Sequence, residues 1–600
     1  MEFDKKTILA FLLIGLVLIF MSTDYYKRMF QPPQKVTPAK EAKKKIDSKE
    51  KYRRSQEKEK SRYSESQAEN ILSNKEETSD LSEKHKKYTN LIGSGETITI
   101  ETDLYKAVFS TQGATLRSWT LKDFLAADSS LVQLIAENGY GNFAVLLPTI
   151  EDTIDTSPFV FTVNKKEINL GTKHASDQLV FTLDLGEKKE IKKIFTFYKD
   201  KYSIGLNVEF KNLDNFIEDF SYFLTWRSGL LSTEYNFDDD MGSSYGYALQ
   251  GDLKKFDAKD KFKYWDDPTD WVAIRTKYFT VATIPEDVKG ESVKFYGQKI
   301  PVSQKSNWKK YGFDLEMPFY DKPNNMNNFT LYLGPLDYDI FKGYNAGLEK
   351  MMDFGIAPIR PFSKLVLWSF KGLHKAIPNY GFVIIVFSIL IKIILYPLTR
   401  KSYKSMKDMQ ALQPLMQELN EKYKNDPQKK QQAIMKLYKE HGVNPLGGCI
   451  PMLLQMPLLF ALFTVFRSTI QLRGAPFIWW IKDLSLPDTV ATLSFSLPLY
   501  GNSVNILPLF MGITMFIQQK ISMKDPKQKA MVYLMPIFFT LLFNSFPSGL
   551  NLYYALFNLF SIFQEKLIPS HPKKEDASKM AKRKVSKKDK FKHNFYRKKL

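Results

Sequence analysis

The chain has 600 residues, 44% of them hydrophobic and 25% charged, with a formal net charge of +21. A mean hydropathy of −0.29 over so many apolar residues requires apolar and highly charged stretches to be segregated, and the basic excess points to anionic lipid or nucleic acid as contacts. One cysteine, Cys449, excludes an intramolecular disulfide and a Cys-rich metal site. The six histidines are scattered, and no HExxH pair, P-loop or GxSxG elbow occurs, so neither a metal nor any other cofactor is expected.

Thr7–Thr23 is uncharged and follows Lys5 and Lys6. It is short against the ~20 residues of a full span. No small-x-small cleavage site follows, which favours an uncleaved membrane anchor (residues 1–30) over a signal peptide. Residues 31–95 are rich in Lys, Glu, Ser and Gln and poor in aliphatics, a composition that predicts a disordered linker. From 96 to 345 the texture is β. Ile98 and Ile100 alternate with polar residues, as do Ile204, Leu206, Val208 and Phe210, and again Phe329, Leu331 and Leu333. This period of two, with turn residues between runs, predicts a large all-β sandwich domain. Trp226, Trp265 and Trp271 fit either a ligand cleft or core and edge packing, with burial trends favouring packing. In the connecting segment 346–378, Phe362, Leu365, Val366, Phe370, Leu373 and Ile377 recur at helical spacing, while Lys364, Lys371 and Lys375 take another side. An amphipathic helix at a membrane surface is expected there.

Gly381–Thr399 then reads as a span (379–399), except for Lys392. A charge at membrane depth costs roughly 2.5–3.5 kcal/mol on insertion scales and marks a functional candidate. Two readings are open: a polar cavity, or snorkelling toward the end near Arg400, about 12 Å away at ~1.5 Å per residue. Further apolar runs cover Gly442–Phe466, Asn505–Gln519 and Ala530–Gln564. The last would be a helix of about 52 Å against a hydrocarbon thickness of ~30 Å. Phe546-Pro547-Ser548-Gly549 near its middle predicts a turn and two spans, so 444–567 holds spans three to six. Arg400–Glu440 carries ten Lys/Arg and five acids, Lys520–Lys529 four lysines and one acid, and His571–Leu600 thirteen Lys/Arg and three acids. The positive-inside rule puts all three in the cytoplasm. With six spans, both termini are inside and the β domain is outside. Residues 400–443 read as a cytoplasmic helical hairpin around Asn425-Asp426-Pro427, with a floppy basic loop as the alternative. Residues 568–600 form a basic tail.

Other polar residues accompany Lys392 at membrane depth: Gln455, Thr464, Thr514, Gln518, Gln519, Thr540, Asn544, Asn551, Tyr553, Tyr554 and Asn558. Each alone fits interhelical hydrogen bonding; together with a lysine they fit a wet groove. No Asp or Glu falls within the spans so bounded, which argues against a proton- or cation-coupled transporter.

YPLT (Tyr396–Thr399), NPLGGC (Asn444–Cys449), LLQMP (Leu453–Pro457), APF–W (Ala475–Trp479) and FPSGLNLYY (Phe546–Tyr554) occur in this order. The set resembles the YidC-type membrane insertases of Gram-negative bacteria over nearly the whole chain. The resemblance implies a polytopic α-helical protein of the inner membrane, with a five-helix core around a hydrophilic groove and a periplasmic β-sandwich related in fold to sugar-binding enzymes. It implies a non-enzymatic insertase and chaperone whose partners are nascent membrane proteins, membrane lipids, the Sec translocon and the ribosome. Lys392 matches a groove position usually held by arginine; lysine keeps the charge without the planar fork. Tyr553 and Tyr554 match the family's substrate-contacting tyrosine region, and Gln455 its polar span-three glutamine. With Thr514, Gln518 and Asn551 these residues form the expected groove. Lys582, Arg583, Lys584, Lys587 and Lys588 of the tail suit either ribosomal RNA or anionic lipid. The rival functions are a transporter or channel using the same cavity, and a tethered sugar-binding domain, which leaves Lys392 unexplained.

Overall fold

Alternation in the sequence becomes buried strand. Ser203–Lys211 turns Ile204, Leu206, Val208 and Phe210 inward and pairs antiparallel with Lys189–Tyr198 and Asn324–Pro335. The computed structural model that shows this describes residues 86–567, apart from 136–138, 150–151, 172–174, 219, 304–305, 444–449, 498–499 and 523–528. The expected anchor, most of the linker, the Asn444–Cys449 motif and the basic tail lie outside the described residues.

The β domain is built from a nine-stranded, a six-stranded and a five-stranded sheet, joined by one continuous hydrophobic core. Trp226 and Trp271 are wholly buried, and Trp265 packs on Phe295 with ring centroids 5.4 Å apart, so all three serve packing. Lys193 occupies an inward position of Lys189–Tyr198 among Ile191, Phe195 and Phe197. Its buried ammonium donates to the carbonyls of Gly113, Ala114 and Phe143 at 3.0, 2.5 and 2.6 Å, and burial pushes its pKa well below the ordinary lysine value. The end of the expected linker is folded rather than disordered. Lys86–Leu91 is a 3-10 helix, and Tyr88, Leu91 and Ile92 pack against the β core. These few apolar residues suffice because a preformed surface receives them. Two short helices, α1 (Phe237–Gly242) and α2 (Tyr338–Gly343), decorate the domain.

The helical region comprises α3 (Arg360–His374), α4 (Tyr380–Ala411), α5 (Gln413–Lys422), α6 (Pro427–His441), α7 (Ile450–Ser468), α8 (Ile506–Ser522), α9 (Lys529–Phe543) and α10 (Ser548–Leu567). Helix α3 has two apolar faces, not the single one expected. Val366, Leu367 and Phe370 are buried, with Phe370 against Phe387 of α4 and Phe466 of α7 at 5.0 and 5.6 Å. Phe362, Leu365 and Trp368 point outward, Trp368 being 72% exposed. Helix α4 runs without a break through Pro397 and past residue 399 to Ala411. The first arm of the hairpin is therefore a continuation of the apolar helix. The hairpin itself is helical: Leu412 and Met416 pack on Ile434, Leu437 and Tyr438, and Asp426 caps α6 by accepting from the Lys429 N–H at 3.0 Å.

The break predicted at Phe546–Gly549 separates α9 from α10. The Ser548 N–H donates to the Leu486 carbonyl at 2.7 Å, and the Asn544 amide to the carbonyls of Tyr500 and Ser503, each at 2.7 Å. Gly512 lets α8 and α9 approach closely; a Cβ there would stand 2.0 Å from Thr540 Oγ1. Thr540 is held by a 2.8 Å bond to the Pro536 carbonyl and cannot simply swing away. Gly512→Val is accordingly expected to cost about 1–3 kcal/mol through overpacking, read as a lower unfolding midpoint in detergent. An unchanged midpoint would show that the two helices slide apart freely. Among the described residues, α4 alone is both long and apolar enough to cross a membrane; Ile506–Ser522 and Ala530–Phe543 are shorter apolar helices.

Candidate functional site

Lys392 leaves α4 sideways. Its ammonium donates to Ser561 Oγ on α10 at 2.5 Å and lies 3.5 Å from the centroid of the Phe557 ring. It is half-buried across the α4–α10 contact instead of running along α4 toward Arg400, so straightforward snorkelling does not describe it. Further along the same seam, Gln564 of α10 donates to Thr399 Oγ1 at 2.7 Å. The buried Tyr403 phenol interacts with Ser561 and with Gln518 of α8. Ser522 at the end of α8 donates to Glu565 Oε2 at 2.5 Å. Gln410 closes the row with a 2.7 Å bond to the Ser522 carbonyl. Residues spaced at helical intervals on α4, α8 and α10 thus line one polar seam.

The expected groove residues divide. Lys392 and Gln518 belong to this seam. Thr514 donates to the Met511 carbonyl at 2.8 Å within its own helix, with Asn558 at 3.5 Å from both groups. Asn551 donates to the carbonyls of Phe543 and Phe546 at 3.1 and 3.3 Å, which satisfies the C-terminal end of α9. Tyr553 and Tyr554 are buried in an aromatic cluster with Phe387, Phe543 and Phe557. Gln455 is half-buried on α7, apart from the seam's hydrogen bonds. Sequence reasoning missed Tyr403, Ser522, Ser561, Gln564 and Glu565. Ending the last span at Gln564 left Glu565 outside the membrane region; α10 instead continues to Leu567, and Glu565 is 2% exposed. A buried carboxylate thus stands at the end of α10, one residue beyond the apolar run Ala530–Gln564. The spacing of Ser561, Gln564 and Glu565 at i, i+3 and i+4 was the available signal.

At the opposite end of the helices the β domain is held by charge. Arg473 Nε lies 2.7 Å from Glu234 Oε1, and both side chains are under 10% exposed. The Arg473 guanidinium also covers Tyr278 and Phe279. Arg467 pairs with Asp239, which Lys277 meets at 2.8 Å. Lys371 of α3 reaches Asp337 and Asp339 at 3.1 and 2.6 Å. Burial works to raise the Asp239 pKa, but Lys277 and Arg467 together hold it below the usual carboxylate value. Neighbouring Asp240 is pushed up to about 6 by burial, against donors from Ser232, Thr233 and Lys277. Asp488 accepts from the N–H groups of Ile506 and Leu507 at 3.1 and 2.8 Å and so caps α8.

An outer β domain clamped onto a bundle of apolar helices, with a polar seam inside the bundle, defines an integral membrane protein with a large extramembrane domain. Residues 97–368 match the YidC periplasmic domain family, and residues 372–575 match the 60Kd inner membrane protein family. The chain is 39% identical to the membrane protein insertase YidC of Chlorobium limicola over 505 residues, covering 82% of this chain and 85% of that protein. It is 41% identical to the membrane protein insertase YidC of Chlorobium luteolum over 496 residues, covering 80% and 83%. A crystal structure of an active YidC insertase aligns at 19% identity over 79% of this chain and 95% of that chain, with a TM-score of 0.34. The chain belongs to the YidC family of membrane protein insertases, and its function is the insertion of proteins into the inner membrane.

Proposed function

We propose that the seam around Lys392 is the groove through which this insertase passes the hydrophilic end of a nascent membrane protein. The carrying observation is the ammonium of Lys392, turned into a polar row shared by α4, α8 and α10. Its charge attracts an acidic tail, while hydroxyl and amide groups lower the cost of burying polar chain. The apolar part of the substrate moves into lipid along α7 and α10, driven by the hydrophobic effect. Gln455 and Thr514 border this path, and Asn551, Tyr553 and Tyr554 close its outer end by filling the helix contacts there.

The chain crosses the membrane six times, with both termini and the α5–α6 hairpin in the cytoplasm, as the basic loops require. Residues 1–30 anchor it, and 96–345 stand in the periplasm. It performs no covalent chemistry; insertion needs binding and desolvation only. Lys582, Arg583, Lys584, Lys587 and Lys588 contact ribosomal RNA, with anionic lipid as the competing partner. The Sec translocon shares part of the substrate load.

Reconstitution in sealed liposomes tests this reading. A single-span substrate with an acidic tail bearing a photoreactive residue should become protease-protected and cross-link to α4 and α10 near Ser561. Cross-links confined to the lipid-facing side of α4 would sink the groove. Leakage of small solutes through the resting protein would favour a channel instead.

A further inference from the structure

We propose that Phe557 is a positioning residue for Lys392: its ring holds the ammonium inside the groove and thereby gives the groove its preference for acidic tails. This rests on the groove reading above and deepens it. A lysine at this depth has another place to go. Tyr396 stands one turn further along α4 on the Lys392 face, and it is exposed, as are Ile393 and Ile394. An unrestrained ammonium would follow that open face toward water near Arg400. Two groups of α10 hold it instead. It lies 3.5 Å from the centroid of the Phe557 ring and donates to Ser561 Oγ at 2.5 Å.

Phe557 and Ser561 are spaced i, i+4 and share one face of α10. The Ser561 hydroxyl spends its own proton on the Phe557 carbonyl at 2.7 Å, which leaves its lone pairs to accept from the lysine. The Phe557 ring is buried and braced by Tyr553, with ring centroids 5.9 Å apart. It is therefore a fixed wall, and the face of an aromatic ring attracts a cation most strongly where water is scarce. An ammonium has three donors. Ser561 takes one and the ring attracts another side, so donor capacity is left for the carboxylate of an arriving tail. A leucine at 557 would fill similar space but carry no ring quadrupole. The ammonium would then keep Ser561 alone, and the open face of α4 would compete for it.

The test uses the full chain in proteoliposomes and two readouts. One is protease-protected insertion of single-span substrates with acidic and neutral tails. The other is reductive methylation of Lys392 by a water-soluble reagent, resolved by peptide mass spectrometry. Phe557→Leu should lower the ratio of acidic to neutral insertion about fivefold and raise Lys392 methylation by a similar factor, the size of one partly desolvated cation–π contact. Phe557→Tyr keeps the ring and should leave both readouts as in wild type. If the leucine variant fails to accumulate, Phe557→Met carries the same expectations. Unchanged methylation in a variant without the ring overturns the inference. So does an equal loss for both tails, or a tyrosine variant that behaves like leucine, because a residue that only packs predicts these. Lys392→Gln in the same assay separates this claim from the groove. A ratio lowered by Lys392→Gln but not by Phe557→Leu keeps the groove and overturns the role of Phe557. A ratio unmoved by Lys392→Gln sinks the groove, and methylation alone then decides whether Phe557 anchors the ammonium.

Discussion

Lys392→Ala is expected to reduce protease-protected insertion of an acidic-tailed single-span substrate about tenfold, equivalent to ~1.4 kcal/mol of lost attraction. Lys392→Arg should retain most of the activity. The size follows from one charge acting at close range in a site between water and protein interior. The alanine variant also releases Ser561 Oγ and uncovers the Phe557 ring, which the ammonium now occupies. Arginine keeps the charge and adds donors in a planar fork, so it fits the same neighbours with a longer reach. Neutral-tailed substrates serve as the internal control. Equal insertion of acidic and neutral tails by wild type and Lys392→Ala would remove attraction from the account and leave the lysine a structural cross-brace between α4 and α10.

Arg473→Ala should destabilise the junction between β domain and helices by about 3–5 kcal/mol, the range for removing one partner of a buried ion pair. Arg473 and Glu234 are 8% and 9% exposed, so water cannot replace the lost partner and a buried carboxylate is left behind. The guanidinium's contact with Tyr278 and Phe279 goes too. Replacing both residues together, as in Glu234→Leu with Arg473→Leu, should cost far less, because no charge is stranded. The measurement is the unfolding midpoint in detergent with protease sensitivity of the 468–488 loop. A single variant as stable as wild type would show the pair to be dispensable. The same interface has a defined acid response. Asp239 is held below its ordinary pKa. Its stabilising contribution is thus present above the unfolded value of about 3.8 and is lost as pH falls through the lower folded value.

The local order of this protein is legible in its residues. Alternating Ile204, Leu206, Val208 and Phe210 predict a strand because a pleated chain sends successive side chains to opposite faces. Phe546-Pro547-Ser548-Gly549 predicts the break between α9 and α10 because proline and glycine interrupt a helix. Asn425-Asp426-Pro427 predicts the hairpin turn for the same reason, and the fold adds Asp426 as the cap of α6. An intramembrane lysine stands out at once by its cost.

What folding alone decides is which of these residues meet. Ser561 is 169 positions from Lys392, and no periodicity announces that pairing. Glu565 looks like a cytoplasmic flank until α10 carries it into the packed end of the bundle. Arg473 and Glu234 stand 239 positions apart, and only the packing of the β domain on the helices brings them together as a buried pair. Trp368 and Val366 share a helix but face different surroundings, because the neighbours of α3, not its hydrophobic pattern, select the buried face. Helical and strand periods arise from backbone geometry between near neighbours, so one sequence suffices to read them. Partners across a fold depend on how whole elements pack, and only the tertiary structure holds that information.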